Sequence, residues 1–355
     1  MVIDHSKIIT LSSDIKKVLV DTTCFSTCRM IFLETNEHSL LRSITRVYSD
    51  DNKLFILDKS LNKIILFDMN GNYLTAIHKD GTGPSEYQSV MDFCLDVNKK
   101  QILLLCGRPY KIMIFNYSGE FIEEKAISDL YFCIISNSDL IYCNKLEINT
   151  TNQDSYELTC FNMDMKPIES FLPMRQITSN RFFRGQSLTS TLNDYYTRRF
   201  DNAIYRISEG EVEKKYEIDF KKHAFPEALL RQELNDASVE MAREKKYVYT
   251  ITEVSESENY LMFNTNIAIF LFNKKTQLLE AYNNIMNSSI GLGSNSYFSI
   301  GNNHRMVGSI LKPSLLIDIK ERADQNPIYA NFELLKLAEQ VEEDSNPLLL
   351  LYEFK

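Results

Sequence analysis

No stretch of this 355-residue chain carries the run of about 18 apolar residues that a membrane-spanning helix needs. Nor is there a basic excess. The 39 Lys and Arg face 48 Asp and Glu, a formal net charge of −9, which argues against a nucleic acid or anionic membrane held by a broad basic surface. Histidine is sparse and scattered singly, at His5, His38, His78, His223 and His304. Cys24-x-x-x-Cys28 has no second Cys/His pair to complete a zinc site, so no structural metal is expected. The seven cysteines are an odd count and most sit in apolar strand patterns, where free cysteine acts as a small core hydrophobe. The opening Met1-Val-Ile-Asp-His puts an acid where a secretory signal needs apolar residues, so no signal peptide is expected in the chain as given.

What the chain does have is a repeat. With 44% hydrophobic and 25% charged residues it reads as globular. The segment Leu54-Phe-Ile-Leu-Asp through Lys63-Ile-Ile-Leu-Phe-Asp to Gly71 lies without gaps over Ile102-Leu-Leu-Leu-Cys through Lys111-Ile-Met-Ile-Phe-Asn to Gly119. Leu57/Leu105, Lys63/Lys111, Ile64/Ile112, Phe67/Phe115 and Gly71/Gly119 are identical at an offset of 48 positions. A period of that size marks stacked supersecondary units, propeller blades among them. Asn70-Gly71 and Ser118-Gly119 mark hairpin turns, and Phe67 and Phe115 should occupy equivalent buried places.

Each copy divides into four short strands, and looser versions follow over 132–172, 187–218 and 247–282. A sixth set is incomplete in order: 297–300 and 305–311 precede Pro347–Phe354, and Cys28–Glu34 from the other end can supply the fourth strand. The expectation is all-β, a six-bladed β-propeller of four-stranded antiparallel blades. It would form one domain over 18–355, closed by strands from both termini, behind a polar lead-in at 1–17. Two apolar stripes at helical spacing predict added helices, one over about 226–245 and one over 331–343.

The loop Gly81-Thr-Gly83-Pro84-Ser-Glu86-Tyr87 separates the first two copies. It lacks the Lys-Ser/Thr ending of a phosphate loop, and reads instead as a structural staple. Gly81 and Gly83 give backbone freedom, Pro84 fixes φ, and Glu86 and Tyr87 tie one blade to the next. In a propeller the turns between second and third strands share a face with the blade-to-blade crossovers. That face would collect Arg108, Arg175, Arg181, Arg184 and Arg199 with Glu86 and Tyr87, an arrangement suited to a carboxylate or sulfate on a ligand; the plainer reading is solvated loop arginines paired with neighbouring acids.

The chain resembles the six-bladed β-propeller proteins with NHL-like repeats that are abundant in Bacteroides and its relatives. Phe32-Leu-Glu34-Thr35, Gly81-x-Gly83-Pro84-x-Glu86-Tyr87, Asn202-x-Ile204-Tyr205-Arg206, Tyr216-x-Ile-Asp-Phe220 and Glu343-Asp-x-Asn346-Pro347 carry the resemblance. It implies a propeller of the cell envelope, in the periplasm or as an outer-membrane lipoprotein, and it brings no catalytic residues. The first functional reading is a monomeric, cofactor-free binding module for an unknown glycan, peptide or protein on the crossover face. The alternative is a metal-dependent hydrolase, lactonase or lyase at the channel mouth, with Asp92 and Asp96 as inner-strand acids, His78 nearby and a calcium ion held between converging carboxylates.

Overall fold

A computed structural model of the chain describes residues 2–145, 155–178, 185–322 and 331–355. Three strands come first: β1 (Val2–Thr10), β2 (Lys16–Val20) and β3 (Phe25–Phe32). The first antiparallel unit is β4 (Arg46–Asp50), β5 (Lys53–Asp58), β6 (Lys63–Asp68) and β7 (Tyr73–Ile77). The second is β8 (Ser89–Asp96), β9 (Gln101–Arg108), β10 (Tyr110–Asn116) and β11 (Phe121–Ala126). The third is β12 (Cys133–Asn137), β13 (Leu140–Asn144), β14 (Tyr156–Asn162) and β15 (Pro167–Pro173). The fourth is β16 (Leu188–Ser190), β17 (Asp194–Thr197), β18 (Ala203–Ser208) and β19 (Glu211–Asp219). The fifth is β20 (Ile251–Glu256), β21 (Tyr260–Thr265), β22 (Ile269–Asn273) and β23 (Leu278–Met286), with the two-residue β24 (Gly293–Ser294) beside β23. The sixth is β25 (Phe298–Gly301), β26 (Met306–Leu311) and β27 (Leu348–Phe354), with β3 on its outer side.

The fold is therefore mostly β, and its sheets are open. The first strands of the six units touch in cyclic order, β4 to β8, β12, β16, β20, β25 and back to β4. The last contact is a short parallel pairing, Ile300 with Val47 and Gly301 with Tyr48, which merges units six and one into an eight-stranded sheet.

The reason these residues make strands is visible in the copies of the repeat. β5, β6, β9 and β10 are near-continuous apolar runs because both faces of each unit are covered by neighbours. β11, on the outer edge, reads Phe-Ile-Glu-Glu-Lys-Ala and is largely exposed. Phe67 and Phe115 are both fully buried, and each follows a register shift to the outer strand at the same point. In both copies the third strand ends in a side-chain-capped turn. Asp68 accepts the N–H groups of Asn70 and Asn72, and Asn116 accepts those of Ser118 and Glu120. Gly71 sits at φ +92°, where a Cβ would also meet the Phe32 carbonyl oxygen at 2.0 Å.

Residues 1–17, expected as a lead-in, instead hold β1 and the start of β2. β1 pairs in parallel with β19 and β2 in parallel with β23, so the N-terminal segment passes along the outer edges of units four and five before β3 joins unit six. A strand on an outer edge needs few apolar residues, and this hid β1 in a polar pattern. The long polar connection expected at 146–155 lies, apart from Ser155, outside the described residues.

The helix expected over about 226–245 is shorter. Glu227–Leu229 form a single 3₁₀ turn, and α1 runs Asp236–Lys245. Two forces shorten it. Leu234 is drawn into a parallel bridge with Ile177, and Asn235 caps the helix by accepting the N–H groups of Ala237 and Ser238. α2 (Pro313–Arg322) was not anticipated, and the helix expected over 331–343 contracts to α3 (Phe332–Ala338), capped by Asn331. Leu316, Ile319, Leu334, Leu337 and Ala338 of these two helices pack on the core shared by units five and six.

The two ends of the resemblance meet in space. Asn346 donates through Nδ2 to the carbonyls of Glu34 (2.8 Å) and Ser39 (2.9 Å), accepts the Leu41 N–H at 2.7 Å, and its own N–H donates to Thr35 Oγ1 at 2.8 Å.

Candidate functional site

Where the six first strands meet, the side chains are polar and buried. Arg46 opens β4 and is buried there. Its Nη1 donates to Asp92 Oδ2 at 2.6 Å, and its Nη2 donates to the Tyr48 hydroxyl at 2.7 Å and the Leu188 carbonyl at 2.8 Å. Asp92 Oδ2 also accepts the Ile134 N–H at 2.9 Å. Gln186 extends the group: its Oε1 lies 3.4 Å from Arg46 Nη1 and accepts from the Cys133 thiol at 3.5 Å, and its Nε2 donates to the Thr45 carbonyl at 3.2 Å. The Gln186 N–H donates to Glu253 Oε1 at 2.8 Å, and Glu253 Oε2 accepts from the Ser299 N–H at 2.9 Å and hydroxyl at 3.0 Å. Arg46, Asp92, Ile134, Gln186, Glu253 and Ser299 come one from each of the six units.

Glu253 reaches this position at a backbone cost. It stands at φ +56° where the β20–β21 register shifts, and a non-glycine residue held there costs on the order of 1–3 kcal/mol. Burial disfavours the charge on Arg46, but the fields of Asp92 and Tyr48 outweigh it and raise the guanidinium pKa above its ordinary value. Burial pushes the Asp92 carboxyl up while Arg46 and the Ile134 and Phe93 N–H groups oppose it. Burial likewise raises Glu253 against the donors from Ser299 and Gln186. An ion pair in this setting is worth less than its length suggests, because taking both charges out of water offsets most of the attraction. Its consequence is geometric: each charged group of the group of six has a protein partner.

A second buried carboxylate joins units four and five. Glu256 accepts from Lys274 Nζ (2.6 Å), Tyr216 Oη (2.8 Å), Asn193 Nδ2 (2.7 Å) and the Tyr195 hydroxyl. Burial works against its charge, and the hydrogen bonds from Lys274 and Tyr195 with the field of Lys274 outweigh it, holding the carboxyl below the ordinary glutamate range. A depressed folded-state pKa contributes stability above the unfolded value, about 4.3, that is lost as pH falls through the folded value. Glu256→Gln should thus cost about 1.5–3 kcal/mol at neutral pH and flatten the acid side of the stability profile. Thermal melts of both proteins from pH 7 down to 3 check this. Parallel curves would refute the role.

The sequence candidates divide. Tyr87 is fully buried, donates to the Asn62 carbonyl at 2.8 Å, and packs in the core shared by units one and two. Its backbone closes the loop by Gly81 N–H to Tyr87 O at 3.0 Å and Tyr87 N–H to Lys79 O at 2.9 Å. Glu86 Oε2 accepts the Gly83 N–H at 2.7 Å, and a Cβ on Gly81 would meet that oxygen at 2.1 Å. Pro84 is exposed at the tip. Arg175 donates to the carbonyls of Arg199 (3.1 Å) and Phe200 and to Asp201 Oδ2 (2.9 Å), which brings Arg175 and Arg199 together where units three and four adjoin. Arg198, which sequence reading passed over, is more deeply placed there. It donates to Glu157 Oε1 through Nε (3.1 Å) and Nη2 (2.5 Å) and to the Pro173 carbonyl at 2.8 Å. Arg181 and Arg184 lie outside the described residues. Arg108 stands apart, exposed at the β9–β10 turn beside a cis peptide to Pro109, with the exposed Tyr110 following it.

Of the acids considered for catalysis, Asp92 is bound to Arg46. Asp96 is buried, accepting the Lys99 N–H at 3.0 Å with Lys99 Nζ at 3.4 Å, and His78 is exposed. Among the described residues no three His, Cys, Asp or Glu side chains are grouped so as to hold a metal ion, and the described cysteines are free thiols.

A mostly β repeat scaffold, its units joined at their inner strands by one buried hydrogen-bonded group and its turns bearing the exposed polar residues, is the class these features define. The chain belongs to the family described as Domain of unknown function (DUF4934), whose profile matches residues 6–353. No curated protein matches it. Its fold is similar to the crystal structure of a Bacteroides fragilis NCTC 9343 protein inferred to be exported, at 19% identity and TM-score 0.78, over 98% of this chain and 100% of that one. It is more distantly similar to a member of the DUF4221 family from Bacteroides vulgatus, at 10% identity and TM-score 0.51, over 93% and 97% of the two chains. No helix among the described residues is long and apolar enough to cross a membrane.

Proposed function

We propose that the chain is a six-bladed β-propeller of the cell envelope that binds a glycan, peptide or protein through its crossover face, without catalysis. The cyclic contact of β4, β8, β12, β16, β20 and β25 supports the propeller reading, since six four-stranded units whose inner strands meet in a ring have the blade arrangement of that fold. The inferred export of the similar B. fragilis protein supports the envelope placement.

The observation that carries the binding reading is the commitment of two inner-strand acids. Asp92 and Glu253 are each held by two or more protein donors, so neither is a free base, whereas Arg108 and Tyr110 are presented to solvent on the β9–β10 turn. An exposed guanidinium and an exposed aromatic ring carried by one turn suit a carboxylate- or sulfate-bearing ligand. Screening the protein on arrays of acidic glycans and peptides tests this. The expected result is retention of an acidic ligand that weakens about tenfold in Arg108→Ala, the loss of one charge-assisted contact. Turnover of a lactone or ester with no retained ligand would overturn it.

A further inference from the structure

A cleft of about 290 Å³ opens away from the inner strands, between residues 11–14, which join β1 to β2, and residues 221–223, which follow β19. The N-terminal segment builds it. Leu11 N–H donates to the Asp219 carbonyl at 3.0 Å, and the Ser12 N–H and hydroxyl both donate to the Leu279 carbonyl, at 2.9 and 2.7 Å, so the β1–β2 connection is pinned to units four and five. Leu11 and His223 are buried at the base. The Lys246 carbonyl lies 2.9 Å from His223 Nδ1 and can only accept, so that nitrogen carries a proton and the ring is fixed in orientation.

The rim carries two lysines, each paired with a carboxylate on the protein surface. Lys221, at φ +55°, has its N–H on Asp219 Oδ1 at 3.0 Å and its Nζ at 2.8 Å from Asp219 Oδ2. Lys222 Nζ meets Asp14 Oδ1 at 2.6 Å, yet the two side chains are 65% and 83% exposed. An ion pair so exposed contributes little, so exchanging its acid for another costs little. An incoming acid attached to a hydroxylated ring would add contacts that the Asp14 side chain cannot make. The Ser13 hydroxyl, held by a long 3.4 Å bond to the Asp14 carbonyl, also lines the cleft and can turn towards it.

We propose that this cleft binds one acidic sugar residue, whose carboxylate or sulfate replaces Asp14 on Lys222. The site is separate from the Arg108 turn and does not depend on the reading given for it. Titrations of the parent, Asp14→Asn and Lys222→Ala with D-glucuronate, inorganic sulfate and D-glucose, followed by calorimetry or NMR, decide it. D-glucuronate should bind the parent, about tenfold more weakly to Lys222→Ala, and about threefold more tightly to Asp14→Asn, where the competing acid is gone. D-glucose should not bind. Weaker binding to Asp14→Asn, no change in Lys222→Ala, or no binding to either the parent or Asp14→Asn would overturn the proposal. Sulfate binding as tightly as D-glucuronate would overturn the saccharide assignment. Both substituted side chains are exposed, so unchanged thermal melts serve as the folding control.

Discussion

Removal of residues 344–355 is expected to leave no soluble, cooperatively folded protein. β27 sits between β26 and β3, paired antiparallel to both, and Leu348, Leu349, Leu350, Leu351 and Tyr352 are all buried. Burying side chains of this size contributes about 1.5–3 kcal/mol each, so these five account for about 8–15 kcal/mol, comparable with the whole net stability of a typical domain. The deletion would also take away Asn346, whose bonds hold the segment from Glu34 to Leu41. β3 would then lose its hydrogen-bonded neighbour and β26 would become an open edge. Expression, size-exclusion chromatography and near-ultraviolet circular dichroism check this. A monomeric truncated protein with a sharp thermal transition would show that β27 is dispensable.

Arg46→Met should destabilise the protein by about 3–5 kcal/mol, because it leaves Asp92 buried with its charge uncompensated. The loss should also loosen unit four, since Arg46 holds the Leu188 carbonyl and lies against Gln186. The double variant Arg46→Met/Asp92→Leu should recover most of the stability, since a buried ion pair replaced by apolar side chains of similar bulk is often neutral. Denaturant midpoints for the parent, both single variants and the double variant give the coupling directly. Additive losses in the double variant would mean that the pair does not act as a unit.

Much of the architecture was legible because it is written locally. The apolar runs around Phe55 and Leu104, the turns at Gly71 and Gly119 and the 48-residue offset each occupy a short window, and strand structure follows from them. β1 was missed because an outer-edge strand leaves most of its side chains in solvent, and Val2–Thr10 carries the mixed pattern that results. The region after Pro226 has a helical stripe, but Leu234 is taken by a strand bridge and Asn235 is the better cap, so the helix starts later than the stripe does. The buried group at the inner strands was illegible for a different reason. Arg46, Asp92, Gln186, Glu253 and Ser299 belong to five units, and no spacing in the chain relates them. Arg175 and Arg199 do come together, yet the most enclosed arginine of that region is Arg198, whose direction depends on the geometry of the turn rather than on its type.

On the proposed reading, the groups at the meeting point of the inner strands hold the units together rather than bind a substrate or a metal ion. A crystal structure at about 2 Å, grown with calcium present, tests it most directly, because calcium bound by carboxylates shows oxygen distances of about 2.3–2.6 Å. The expected result is Arg46 on Asp92 and Gln186 on Glu253, with no cation among them. A calcium ion ligated by Asp92 or Glu253, with Arg46 turned away, would contradict it and move the functional assignment to the enzyme reading.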